Sequence, residues 1–130
     1  MNKIDTLIAY LFAIQAFAKD IHYSASGEAF YSKHLLADEI YKGIDEQIDA
    51  LIETCILPFA PAKRIDEYWE QAKIIIPDEC TFENLRLVFA DVLSYMDSNS
   101  GNFDRAQQSL IDGVMQDLQR KLGLITRQVG

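Results

Sequence analysis

Apolar residues recur along most of this chain at three- and four-residue steps, the period of an α-helix buried on one side. Ile4, Leu7, Ile8, Leu11, Ile14 and Ala18 form the first such stripe and predict a helix reaching about His22. The stretch Tyr23-Ser24-Ala25-Ser26-Gly27 has turn chemistry and closes it. Residues 28 to about 57 read as one long second helix, which Pro58 and Pro61 stop. Gly43 lies in its interior, at a cost of about 1 kcal/mol relative to Ala, and the pattern offers no reason for it. A short amphipathic segment from 62 to about 73 carries Ile65, Tyr68 and Trp69. Ile74-Ile75-Ile76-Pro77 could pass for a strand, but an isolated strand would have no partner here.

Thr81 opens a third long helix with Leu85, Val88, Phe89, Val92 and Met96 on its apolar side. After the polar loop 97–102, Asp104 with Gln107 three residues later has the form of a capping box. It starts a fourth helix expected to run to about Leu122. The expectation is all-α: one domain over residues 1–130, an up-and-down four-helix bundle with a short extra helix in the connection between the second and third helices. One long crossover of this kind is the ferritin-like arrangement.

Composition narrows the function. With 49% hydrophobic residues the chain is no disordered tail. Twenty acids against twelve bases leave a net charge of −8, which weighs against binding a DNA or RNA backbone. Two cysteines, Cys55 and Cys80, are too few for a disulfide framework. No apolar run approaches the ~18 residues of a membrane span. The N-terminus loosely imitates a signal peptide, but Asp5 and Gln15 interrupt the pattern, so it reads as a mature helix and the expected location is cytoplasmic.

Candidate chemistry is concentrated in the second helix. The only histidines are His22 and His34. At 100° per residue, His34, Asp38, Asp49 and Glu53 fall at about 0°, 40°, 60° and 100° of an unbroken helix, a single stripe. His34 with Asp38 alone reads as a surface ion pair, and Asp49 with Glu53 alone as a solvated acidic face. A histidine and three acids together suit a hard or borderline cation. Asp38 and Asp49 stand about 16 Å apart along the axis, too far to share an ion. A twofold axis setting two copies antiparallel would bring His34 and Asp38 of one chain against Asp49 and Glu53 of the other, twice over. His22 completes each site, so two intersubunit metal sites per dimer are expected.

The run from Lys19 through His22, Tyr23, Gly27, Phe30, His34 and Asp38, on to Asp49 and Glu53, resembles the Dps-type mini-ferritins of the ferritin-like superfamily. The resemblance covers about residues 19 to 53. It implies that His22, His34 and Asp38 bind iron together with Asp49 and Glu53 of a twofold mate. It further implies oxidation of Fe2+ by peroxide or oxygen, storage or detoxification of the ferric product, and a homo-oligomer built from twofold dimers, up to twelve subunits. Tyr23 and Ser24 stand where the family usually has Trp and Asn, and Gly123 where an aromatic is expected. Ordinary ferritins fit less well, because the chain has no Glu-x-x-His motif. The alternative expectation, from another class, is a noncatalytic ferritin-like helical scaffold or interaction module.

Overall fold

A computed structural model of the chain describes residues 1–129. Helix α1 spans Lys3–Ser24, α2 Phe30–Tyr41, α3 Ile44–Leu51, α4 Ile65–Ile75, α5 Phe82–Ser98 and α6 Arg105–Val129. A single π-helical turn, Ile52–Ile56, continues α3. No strand occurs among the described residues, and Ile74 and Ile75 belong to the end of α4.

Side-chain caps set several helix starts. Asn2 Oδ1 accepts from the Asp5 N–H at 2.8 Å, and the Asp5 carboxylate accepts in turn from the Asn2 N–H. Thr81 Oγ1 accepts from the Asn84 N–H at 3.1 Å. The expected capping box is present: Asp104 accepts from the Gln107 N–H at 2.8 Å, and Gln107 accepts from the Asp104 N–H at 3.3 Å. Each satisfies an N–H that the helix itself leaves open.

The first helix is apolar on more sides than one stripe requires, and the packing explains why. It lies against α2 and α3 on one side, α5 on another and α4 on a third. α6 packs on α5 and on α2 and α3, closing a four-helix bundle with α1 and α6 on the diagonal. Leu7, Ile8, Leu11, Ile14, Phe17 and Ala18 are all at most 1% exposed. The short α4 supplies the third cover: Tyr68 and Trp69 sit against Phe12, at ring separations of 5.8 and 5.1 Å. The Tyr68 hydroxyl donates to the buried Asp5 carboxylate at 2.7 Å, fastening α4 to the start of α1.

The structure corrects the sequence reading most at the second helix. It is not continuous: α2 ends at Tyr41 and α3 begins at Ile44. Lys42 turns to ψ 130° and Gly43 takes φ +81°, a left-handed conformation that glycine reaches without the Cβ penalty. Gly43 is thus the pivot of a break rather than an interior helical residue. The π turn Ile52–Ile56, with the Leu57 N–H donating to the Ile52 carbonyl at 3.0 Å, changes the pitch again at Glu53. The angular stripe drawn from His34 to Glu53 therefore does not survive, because it assumed one helical repeat throughout. The fourth helix is also longer than expected, reaching Val129 rather than about Leu122, with Ile125 buried in its added turns.

Candidate metal centre

His22 sits in the last turn of α1 and His34 in the second turn of α2, across the turn at 25–29. Gly27 (φ +74°) and Ala29 (φ +61°) reverse the chain there, so that the two imidazoles meet. Their rings stack at 3.7 Å between centroids, inclined by 28°. Each Nδ1 reaches the other residue's backbone carbonyl: His22 Nδ1 to the His34 oxygen at 3.1 Å, His34 Nδ1 to the His22 oxygen at 3.2 Å. A carbonyl only accepts, so both Nδ1 atoms carry the proton. In a neutral ring that leaves Nε2 with its lone pair, the tautomer a metal-binding imidazole needs, held by a backbone partner as metal-ligating histidines commonly are.

Aromatic side chains frame this pair. Phe30 lies 5.4 Å from the His34 ring. Tyr41 and Tyr23 approach His22 edge-on at 5.6 and 5.5 Å, and Tyr23 is 76% exposed. Lys19 Nζ stands 5.6 Å above the Tyr41 ring. Burial raises the Tyr41 pKa, and the Asp38 carboxylate, one turn earlier on α2, raises it further. Tyr41 was missed at the level of sequence, although it lies three residues after Asp38 on one helix face.

The other two candidate ligands lie apart. Asp49 on α3 and Glu53 on the π turn are both exposed, and both come after the break at Gly43. Among the described residues of one chain, no group of three or more His, Cys, Asp or Glu side chains is gathered to hold a metal ion. The five candidates are therefore brought together in part: the histidines touch, Asp38 is near Tyr41, and Asp49 and Glu53 belong to a separate stretch of surface.

The cysteines are not part of the centre. Burial raises the pKa of both Cys55 and Cys80, with Asp104 adding to the first and Asp20 to the second, so neither is a stabilised thiolate. Among the described residues no helix is long and apolar enough to cross a membrane.

Helix order, the long crossover carrying α4, and the diagonal pairing define a ferritin-like four-helix bundle. Among solved structures the architecture is that of Dps homologues. An archaeal Dps homologue from Halobacterium salinarum matches with a TM-score of 0.83 at 16% identity, over 98% of this chain and 77% of that one. A DPS protein from Vibrio cholerae O1, described as a member of a broad superfamily of ferritin-like diiron-carboxylate proteins, matches with a TM-score of 0.81 at 18% identity, over 99% of this chain and 87% of that one. No protein-family model and no curated protein matches the chain. At these identities the likeness establishes the fold.

Proposed function

We propose that this chain is a Dps-type mini-ferritin that takes Fe2+ as its substrate at sites shared between two copies, has it oxidised there by peroxide or oxygen, and stores or detoxifies the product. The observation that carries this reading is the His22–His34 pair, in which both Nδ1–H groups donate to carbonyls and both Nε2 atoms keep a lone pair that a metal can take. Neutral imidazole favours the ferrous ion, while carboxylates hold both Fe2+ and Fe3+, so the donor set suits a metal that changes charge in place. His22, His34 and Asp38 are the ligands from one chain, Glu53 bridges from the twofold mate, and Asp49 orients or ligates beside it. Iron supplies one electron per ion, and the residues' part is to hold two ions close enough for a two-electron oxidant to take both.

A contact between copies has support on the same face. Tyr31 and Leu35, one turn apart on α2, are 70% and 48% exposed beside the histidines. Large apolar side chains left open next to an incomplete donor set are what an intersubunit site would cover. Twelve subunits closing into a shell and a cytoplasmic location belong to the same proposal.

One observation favours a noncatalytic helical scaffold instead: the break at Gly43 separates Asp49 and Glu53 from the stripe that would align them. The two readings part in one experiment, size-exclusion light scattering followed by anaerobic Fe2+ titration and peroxide. An oligomer of even copy number that binds Fe2+ and oxidises it quickly, with rapid oxidation abolished by Asp38→Ala plus Glu53→Ala, supports the ferroxidase. Wild-type kinetics in that double variant, or a monomer that binds no iron, leaves the scaffold.

A further inference from the structure

Because α2 and α3 are joined through two non-helical residues, the helical repeat no longer relates His34 and Asp38 to Asp49 and Glu53. Elements outside the second helix hold the two pieces in register: α1 packs on both, and one turn of α6 ties them through polar contacts. The Lys42 carbonyl, swung off the helix path by the ψ of 130°, accepts from Lys121 Nζ at 2.8 Å. The same ammonium holds Asp117 Oδ2 at 2.9 Å. From the far side of the break, Gln47 Nε2 donates to that same oxygen at 2.8 Å. Arg120 adds a tie to α2, bridging Glu39 at 3.1 Å and Asp117 at 3.2 Å. Residues before the break (Glu39, Lys42) and after it (Gln47) thus converge on the turn 117–121.

Burial separates this set from ordinary surface pairing. Lys121 is 1% exposed, while Arg120 and Glu39 remain open to water and add little. A lysine this deep is tolerated only with its protons committed, and here they go to a carbonyl freed by the break and to the carboxylate that also receives Gln47. Gln47 Oε1 is buried without a partner, so its amide is oriented by Asp117 at the expense of its own oxygen.

We infer that Lys121, acting through Asp117 and Gln47, sets the angle between α2 and α3 and thereby the spacing of the two halves of the metal site, making it a positioning residue for metal binding that never touches the metal. The spacing part rests on the proposed function; the angle part stands on the structure alone.

The experiment uses spin labels at Ser32→Cys on α2 and Thr54→Cys on the π turn, in a Cys55→Ala, Cys80→Ser background, with labelled chains diluted in unlabelled protein. Co2+ titration of the same proteins is read in the visible spectrum. Lys121→Met is expected to keep its helix content while the label distance distribution shifts and broadens, and Co2+ affinity is expected to fall about tenfold or more. Lys121→Arg is expected to restore most of both. A distance distribution in Lys121→Met that superimposes on wild type overturns the inference, as does an unchanged Co2+ affinity. If wild-type protein binds no Co2+, the metal-site reading fails, and the distance distribution alone still decides whether Lys121 sets the angle. Should Lys121→Met fail to fold, Asp117→Asn takes its place: it removes the shared charge, and an unshifted distribution there overturns the proposal equally.

Discussion

Replacing Lys121 with Met keeps the aliphatic stem and deletes only the ammonium, so the stability change can be worked from its bonds. The Lys42 carbonyl loses its 2.8 Å donor in a place where the ammonium is 1% exposed, at a cost of about 1–3 kcal/mol for an unsatisfied buried acceptor. Asp117 loses its partner at 2.9 Å, but its side chain is 26% exposed and keeps Gln47 and Arg120, so this adds only about 0.5–1 kcal/mol rather than the full cost of a stranded charge. The sum is roughly 1.5–4 kcal/mol, out of a typical total of about 5–15 kcal/mol. For a chain of this size that lowers Tm by about 6–16 °C. Urea unfolding by circular dichroism at fixed chain concentration measures it. Lys73→Met serves as the control, since that lysine and its Glu70 partner are 69% and 76% exposed at 3.5 Å and should contribute less than about 0.5 kcal/mol. A loss below about 1 kcal/mol in Lys121→Met, or equal losses in the two variants, refutes the account of the buried ammonium.

Other predictions follow from the same structure. Tyr68→Phe removes the hydroxyl bonded to buried Asp5 at 2.7 Å and should cost about 1.5–3 kcal/mol in urea unfolding. Gly43→Ala meets no atom within 4 Å, so its cost is the left-handed backbone alone, about 1–2 kcal/mol by the same assay. Burial alone would raise the Asp117 pKa, but hydrogen bonds from Lys121, Gln47 and Arg120 outweigh it and hold the carboxyl below its ordinary 3.8. The folded state therefore binds this proton less readily than the unfolded one. The resulting stability is full above pH ~4 and is lost as pH falls through the lower folded value, and Asp117→Asn should flatten the acid limb of the stability–pH curve. Single His22→Ala and His34→Ala variants should each weaken Co2+ binding by about tenfold or more with helix content unchanged; wild-type affinity in either removes that imidazole from the site.

Much of the fold was legible in the residues because it rests on local rules. Apolar periodicity, the Asp104–Gln107 box and the Thr81 cap each act within a few residues, so the helix starts could be read directly. The apolar stripe of α1 was legible, as was a short helix in the connection where α4 lies; that α4 would cover a further side of α1 was not. The meeting of His22 and His34 followed from a short turn between two helices.

What only the tertiary structure decided lies where distant segments meet. A glycine is tolerated inside a helix at about 1 kcal/mol and favoured at a left-handed break, so an apolar pattern that runs through it could not distinguish an interior Gly43 from a pivot. At the break the buried Lys121 of α6, more than seventy residues on, takes the carbonyl that the helix sets free. That Lys121 is buried at all was unreadable from its own neighbours, because charge patterning cannot tell a solvated lysine from one enclosed by another helix. The relation of Asp49 and Glu53 to the histidines is of the same kind. It depends on the angle at the break, a product of packing between segments that no local pattern encodes.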